Sequence, residues 1–130
     1  MSETHEYRFT ATVTEAEGNA DGSYLGCLLR QEQCRELTLA RSTLPGLIEA
    51  GPAAVLGTRE VDCEALTETE PGDALLVRVR VAETGPGQLE LTYNQFKKGP
   101  HGEEIPVACG RERIATTYPL ILSTPAGRSA

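Results

Sequence analysis

The residue types that most often carry proton transfer, metal binding and nucleophilic attack are scarce in this chain of 130 residues. It has two histidines, His5 and His101, which excludes a three-histidine metal centre. The four cysteines are Cys27, Cys34, Cys63 and Cys109. They form no Cys-x-x-Cys pair and have no histidine at ligand spacing, so we expect reduced packing residues and no metal, with a zinc site, a disulfide or a nucleophilic cysteine as alternatives. If the protein is an enzyme, other residue types must carry its proton chemistry.

One arginine falls within an apolar helical stripe. At helical spacing, Arg35 lies on the same side as Leu28, Gln31 and Thr38, so its guanidinium would enter apolar surroundings. There it could polarise a carbonyl group or hold a bound carboxylate. The alternative is a structural ion pair with Glu36 or with a strand carboxylate across a dimer.

The element that must position Arg35 is a long amphipathic helix, predicted from Tyr24 to about Ala40. Asp21 or Ser23 precedes it as the N-cap, and capping is favoured over catalysis for Asp21. The predicted buried face comprises Tyr24, Cys27, Leu28, Gln31, Cys34 and Thr38, widened by Leu25 and Leu29. The side chains expected largely elsewhere are Arg30, Glu32, Gln33 and Glu36. A shorter helix is predicted over 44–50.

Alternating apolar and polar residues predict five strands, over 7–14, 54–66, 75–81, 89–97 and 105–117. Turns rich in glycine and proline separate the last four, so these four consecutive strands should form antiparallel hairpins. This order predicts a single α+β domain over 1–130, with a core at 6–118 and a frayed tail at 119–130. A five-stranded antiparallel sheet wrapped around one long helix is the hot-dog architecture. Its exposed sheet edges lead us to expect a homo-oligomer, a dimer or a tetramer.

The charge balance and the absence of long apolar runs exclude further classes of function. Nineteen acidic residues oppose twelve basic ones, giving a formal charge of −7, which argues against binding to nucleic acid. No apolar run approaches the ~20 residues of a membrane span. The N-terminal residues lack the basic-then-apolar order of a secretory signal, so we expect no membrane association and a cytoplasmic protein.

Two stretches at the start of the long helix carry a family resemblance. The chain reads Glu-Gly-Asn-Ala-Asp-Gly-Ser-Tyr over 17–24 and Arg-Gln-Glu-Gln-Cys-Arg-Glu-Leu over 30–37. It resembles the hot-dog acyl-thioesterases of the 4-hydroxybenzoyl-CoA thioesterase type, and among them the enediyne polyketide branch. The ungapped match of Gln31, Cys34, Arg35, Glu36 and Leu37 is its specific part. Segments 61–64, 72–73, 77–80 and 110–115 extend the resemblance over residues 7–116.

The resemblance implies two catalytic residues. Glu17 stands where the broader family has an aspartate that acts as base or nucleophile and where the enediyne branch has asparagine, and Arg35 would assist at the carbonyl. The implied substrate-binding residues are Asn19, Tyr24, Leu28, Gln31 and Tyr93. Tyr24 and the backbone N–H groups at the helix start would complete the oxyanion site. A solvated loop acid is the alternative for Glu17, and core packing is the alternative for Tyr93.

The resemblance also implies a reaction and a partner. The protein would hydrolyse a polyketide or fatty acyl thioester on the acyl carrier protein domain of an iterative polyketide synthase. It would need no cofactor, since phosphopantetheine belongs to the substrate. Arg78 and Arg80, on the outer side of a strand, could meet an acidic carrier helix, or could simply be solvated; Lys97 and Lys98 offer another basic patch. The rival functions are a non-hydrolytic acyl-binding or chain-shaping accessory protein, and a dehydratase or isomerase, which would need a histidine in the site.

Overall fold

The computed structural model of the protein describes residues 2–11, 24–44 and 55–117, and of residues 55, 56, 59, 116 and 117 it describes the backbone alone. The elements are β1 (Ser2–Thr10), α1 (Tyr24–Arg41), β2 (Val55–Ala65), β3 (Ala74–Gly85), β4 (Gln88–Lys98) and β5 (Glu104–Thr117). The helix and the last four strands match the predicted ones to within a few residues. The predicted short helix after Leu44 and the tail at 119–130 lie outside the described residues.

The five strands form one antiparallel sheet in the order β1-β3-β4-β5-β2. Strands β3, β4 and β5 follow one another as hairpins, and the turns between them contain Gly87 and Gly102, both with positive φ. The prediction that β2 and β3 also form a hairpin was wrong, because β2 pairs with β5 and the segment between β2 and β3 crosses to the other side of the sheet. The edges of the sheet are β1 and β2. The register along β2 shifts between Thr58 and Glu60, just after Gly57.

The helix α1 packs on one face of this sheet, and the core lies between the two. Alternate residues of β3, including Val77, Val79 and Val81, are fully buried, as are Leu91 and Tyr93 of β4. Burying a side chain of this size contributes about 1.5–3 kcal/mol each, so the alternating strands supply most of the drive for packing. The α+β class, the five-stranded antiparallel sheet and the single long helix are confirmed.

The buried face of α1 differs from the prediction. Tyr24, Leu25 and Leu29 are 53%, 51% and 56% exposed, whereas Arg30 is 6% exposed. Leu25 and Leu29 each lie two residues from the fully buried Cys27, which is about 200° around a helix, and therefore point away from the sheet. Tyr24 is the first helical residue. The prediction that these three side chains belong to the buried face, and that Arg30 lies outside it, was wrong.

The first strand also begins earlier than predicted, at Ser2, and ends at Thr10. Its polar start is accommodated by side-chain contacts. Glu3 accepts a hydrogen bond from the Thr43 backbone N–H at 2.8 Å, and His5 Nε2 lies 3.1 Å from a Glu3 oxygen. The ring of His5 also stacks against Tyr7. Because these partners satisfy the polar groups, the segment pairs with β3 from Ser2 onward.

Across the stretches of chain that the structure describes, no helix combines the length and apolar character needed to cross a membrane.

Candidate active site

A buried carboxylate lies at the centre of a polar cluster between α1 and the sheet. Glu112 of β5 is 1% exposed. Its Oε2 accepts hydrogen bonds from Arg35 Nε at 2.8 Å and from Thr58 Oγ1 at 3.0 Å, and its Oε1 accepts one from the Tyr93 hydroxyl at 3.2 Å. A buried carboxylate is costly unless it is paired and hydrogen-bonded, and these donors from α1, β2 and β4 meet that requirement. We call Glu112, Arg35, Tyr93 and Thr58 the Glu112 cluster.

Arg35 reaches the edge of the Glu112 cluster from α1, and its side chain is 14% exposed. Burial acts to lower its pKa, but the carboxylate of Glu112, supported by that of Glu36, raises the pKa above its usual value. Its Nε donates to Glu112 and its Nη1 to Glu36. Among the described residues, nothing accepts from Nη2. The guanidinium is therefore fixed and permanently charged, with one nitrogen available to an external oxygen.

Tyr93 of β4 is fully buried, and its hydroxyl is committed to Glu112. Burial raises the pKa of Tyr93, and the neighbouring negative charge of Glu112 raises it further. The phenol therefore stays protonated and donates to the carboxylate. Tyr93 contributes to the core and to the support of Glu112 within the single chain.

Gln31 forms a second polar contact beneath α1. Its side chain is fully buried, and Nε2 donates to the backbone oxygen of Asp62 at 3.0 Å. Its Oε1 has no hydrogen-bond partner within the described part of the chain. A Cβ on Gly110 would clash with that oxygen and would also lie 2.6 Å from the backbone oxygen of Asp62, so only glycine fits at this point of β5. The amide is thus wedged between α1, β2 and β5.

A third contact brings Arg30 into the interface. Arg30 Nε donates to Gln95 Oε1 at 3.0 Å, and Gln95 Nε2 donates to the backbone oxygen of Cys27 at 2.9 Å. These bonds join the first half of α1 to β4. They explain why a charged residue occupies the buried face.

The structure connects some of the predicted site residues and leaves others apart. Arg35 and Tyr93 both bind Glu112. Gln31 is buried nearby on α1 but binds Asp62, Leu28 is half-buried, and Tyr24 is exposed at the helix start. Glu17 and Asn19 lie outside the described residues. A catalytic role for Glu17 and Arg35, and a substrate-binding role for the others, stay predictions.

Glu112, which joins the cluster, was not among the residues predicted from the sequence. A signal was present in β5, where Glu112 alternates with Arg111 and Arg113 and shares the parity of Gly110 and Ile114. Since alternate residues of a strand share one face, this pattern places Glu112 on the buried face. Thr58 carried no comparable signal, because the register shift in β2 lies beside it.

Neither histidine approaches the Glu112 cluster: His5 binds Glu3, and His101 is exposed in the turn before β5. Burial raises the pKa of the Cys34 thiol to about 12 and that of Cys63 to about 11, so both thiols are protonated at neutral pH. Within residues 2–11, 24–44 and 55–117, no group of three or more metal-ligating side chains converges.

On the outer face of the sheet, Arg78 and Arg80 lie as predicted, alternating with buried valines. Arg78 is held by Glu6 at 2.7 Å and by Glu104 at 3.1 Å, and its guanidinium lies over the ring of Phe96. Phe96 therefore packs on the outer face, away from the helix.

Solved structures with the same arrangement of elements identify the architecture. The chain is similar to the dynemicin thioesterase, with which it shares 23% sequence identity at a TM-score of 0.68, covering 89% of this chain and 82% of that one. It is also similar to a hot-dog-like protein from Thermanaerovibrio acidaminovorans, at 16% identity and a TM-score of 0.64, covering 94% of this chain and 86% of that one. The chain has the hot-dog fold.

A third hot-dog relative is a mutant 4-hydroxybenzoyl-CoA thioesterase in complex with 4-hydroxybenzoyl-CoA. It shares 12% identity at a TM-score of 0.64, covering 88% of this chain and 83% of that one. No protein-family model and no curated protein matches this sequence. In this hot-dog domain the Glu112 cluster lies where α1 meets β2, β4 and β5.

Proposed function

We propose that this protein is a thioester hydrolase that releases a polyketide acyl chain from an acyl carrier protein. The observation that carries the proposal is the Arg35 guanidinium, which is fixed by the buried Glu112 and whose Nη2 binds none of the described residues at the edge of the helix–sheet interface. Two of the solved structures with a similar fold are thioesterases, one of them studied for polyene binding.

Hydrolysis requires a base and an oxyanion donor. In the proposed reaction, Glu17 takes a proton from water, the water oxygen bonds to the thioester carbonyl carbon, and charge develops on the carbonyl oxygen. Arg35 Nη2, with backbone N–H groups at the start of α1 and Tyr24, would donate to that oxygen. The C–S bond then breaks, the thiolate takes up a proton, and a carboxylic acid and a thiol are released. In the alternative first step, the Glu17 carboxylate attacks the carbonyl carbon and the thiolate leaves and takes up a proton; water then hydrolyses the mixed anhydride to the acid and free Glu17.

The substrate-binding residues divide by their exposure. Tyr24 and Leu28 are accessible enough to contact an acyl chain, and Asn19 would join them from the preceding loop. Gln31 and Tyr93 are fully buried in the single chain. We therefore place Tyr93 behind Arg35, where it supports Glu112. The phosphopantetheine arm would arrive with the substrate, and the protein itself would use no cofactor.

The test measures release of thiol from an acyl-carrier thioester and from a short acyl-pantetheine thioester. Arg35→Ala should lower kcat about 100-fold, as removal of an oxyanion donor does, and Glu17→Ala should lower it at least as much. Arg41→Ala, which removes an exposed arginine from the last turn of the same helix, is the matched control and should retain full activity. Wild-type rates in both site variants would show that the site is wrongly assigned.

An acyl-binding protein without turnover is the second candidate. Its specific support is that Arg35 contacts two carboxylates, Glu112 and Glu36, which offset the positive charge offered to an oxyanion. Saturable binding of an acyl-pantetheine with no thiol release would establish this function in place of hydrolysis.

We place the contact between copies of this homo-oligomer at β2 and the start of α1. β2 is an edge strand, so its outer backbone groups are open to pairing. Large exposed apolar side chains occur in both elements: Tyr24, Leu25 and Leu29 in the first half of α1, and Val61 and Leu66 in and just after β2. Burying them between copies would also cover the accessible side of the site. Light scattering of the wild type and of Leu29→Glu tests this, since the charge should shift the protein toward monomers.

A further inference from the structure

Ion pairs within the chain neutralise part of the arginine charge on the outer face of the sheet. Two arginines there lie within 4.0 Å of two carboxylates each: Arg78 of Glu6 and Glu104, and Arg113 of Glu60 and Glu90. Such pairs leave little charge for a visiting molecule. They also show that an arginine with a purely structural role on this face is paired with carboxylates of the chain.

Three other arginines of the described strands break that pattern, and one of them, the exposed Arg8 of β1, is opposite Leu76 and lies apart from Arg80 and Arg111. Arg80 of β3 is opposite Thr92 of β4, which is opposite Arg111 of β5, and Asp62 of β2 ends the row. Arg80 and Arg111 are exposed, and neither has an ion-pair partner within 4.0 Å among the described residues. Two strand spacings separate them, so their Cα atoms are about 10 Å apart. We call Arg80, Thr92 and Arg111 the arginine row.

We infer that the arginine row is the docking surface for an acidic helix of the carrier protein that delivers the acyl thioester. Carboxylates seven residues apart on a helix are about 10.5 Å apart, which matches the spacing of the two arginines. A side chain between them on that helix would face the Thr92 hydroxyl. The helix would cross the strands of the sheet at a steep angle.

Charge complementarity selects this occupant over a second copy of the chain. A second copy also carries a formal charge of −7, yet four carboxylates of its outer face are already paired with Arg78 and Arg113. An acidic helix with unpaired carboxylates gains two new ion pairs and needs no rearrangement here. Arginine can bind a carboxylate through two parallel N–H groups, which fixes orientation as well as proximity.

This inference rests on the proposed function, because it assigns the partner of the same reaction. The test uses an octanoyl-loaded bacterial acyl carrier protein as the probe and octanoyl-pantetheine as the carrier-free thioester. The test variant is Arg80→Gln with Arg111→Gln, and its matched control is Arg78→Gln with Arg113→Gln. Each removes two positive charges from the same face.

Loss of two exposed ion pairs should raise the Kd for the carrier about three- to tenfold in the test variant. The control should raise the Kd by a clearly smaller factor, because Arg78 and Arg113 already bind carboxylates of this chain and act on the carrier only through the net charge of the face. Arg80→Lys with Arg111→Lys should recover most of the affinity. The KM for octanoyl-pantetheine should be the same in all of them.

Equal losses in the test and control variants, or no carrier binding by the wild type up to 1 mM, would overturn the docking surface. A change of molecular mass in the test variant would also overturn it and assign the row to contacts between copies. Failure of the wild type to hydrolyse either thioester is a separate result: it contradicts the proposed hydrolysis and leaves the comparison of carrier Kd values in force.

Discussion

Arg35 of α1 and Glu112 of β5 form an ion pair that joins the helix to the sheet, with Nε 2.8 Å from Oε2. The carboxylate is almost wholly buried, while the guanidinium reaches the protein surface. The negative charge of Glu112 is therefore neutralised within the fold. The Nη2 of Arg35, which binds none of the described residues, lies toward the surface. One contact thus stabilises the interface and orients the group proposed to act on the substrate.

Glu112→Gln should weaken the contact between α1 and the sheet. The amide retains the shape of the carboxylate but loses the charge-assisted bond to Arg35, and we expect a loss of about 2 kcal/mol in the free energy of unfolding. Urea denaturation measures this loss. The exposed Glu32→Gln on the same helix is the control and should stay within about 0.5 kcal/mol of wild type. Unchanged stability in Glu112→Gln would mean that the pair contributes nothing net.

Gly110→Ala should destabilise the protein by about 1–3 kcal/mol, as overpacking in a core does. The new methyl group would clash with Gln31 Oε1 and would lie 2.6 Å from the Asp62 backbone oxygen. Combining it with Gln31→Ala removes the first clash only, so a double-mutant cycle should show partial recovery. Gly57→Ala in β2 meets nothing closer than 4.0 Å and should be tolerated. Equal effects of the two glycine substitutions would contradict this packing.

The contact of β1 with the end of α1 should fail in acid. The side-chain hydrogen bond from Thr43 lowers the pKa of Glu3 from 4.5 to about 2, outweighing a burial effect of opposite sign, with further help from His5. A carboxyl whose pKa is lower in the folded state stabilises the fold above about pH 4.5, and that stabilisation is lost as the pH falls toward 2. Since the Glu3 side chain is 20% exposed, solvent screening limits the contribution to about 1 kcal/mol.

Unfolding of Glu3→Gln at pH 6 and at pH 2.5 measures that contribution. The variant should be less stable than wild type at pH 6 and nearly equal to it at pH 2.5. Ser2→Ala, on the same exposed strand, should show no difference at either pH. A constant difference between Glu3→Gln and wild type would assign the effect to something other than ionisation.

Thiol reagents should react slowly with Cys34 and Cys63 as long as the protein is folded. Cys34 is fully buried with a pKa of about 12, and Cys63 is half-buried with a pKa of about 11. At pH 8 the thiolate fraction of Cys63 is on the order of one in a thousand, and access to Cys34 requires opening of the core. In the native protein, iodoacetamide should label Cys63 far more slowly than in denaturant and should reach Cys34 only when the fold opens, whereas denaturant should expose both. Rapid native labelling of Cys34 would contradict its burial.

The sequence predicts the elements of this fold better than the surroundings of its charged residues. Strands β3 and β4 follow directly from valine, leucine and tyrosine at alternate positions between glycine turns. The buried position of Arg30 depends instead on Gln95 of β4, a distant residue that supplies its hydrogen-bond acceptor. Pattern alone assigns a charged side chain to solvent, because the compensating partner is visible only after the chain has folded.

The candidate site shows the same division. The position of Arg35 on the helix predicts that its side chain enters the interface. Its partner Glu112 lies on the last strand, and the direction of the Glu112 side chain follows from strand pairing. The polar start of β1 was missed because Glu3 and His5 are satisfied by side chains rather than by burial of apolar surface. Local propensity does not record such contacts.

The strand order β1-β3-β4-β5-β2 has a consequence for the route to the native state. The hairpins β3–β4 and β4–β5 close short loops, whereas β1 must find β3, and β2 must find β5, across long stretches of chain. Loop-closure entropy therefore favours early formation of the central meander and late arrival of the edges. Thr58 belongs to the late edge, while Tyr93 and Glu112 belong to the early centre. The bond of Tyr93 to Glu112 would then form first and the bond of Thr58 to Glu112 later. Detachment of β2 alone would break only the Thr58 bond.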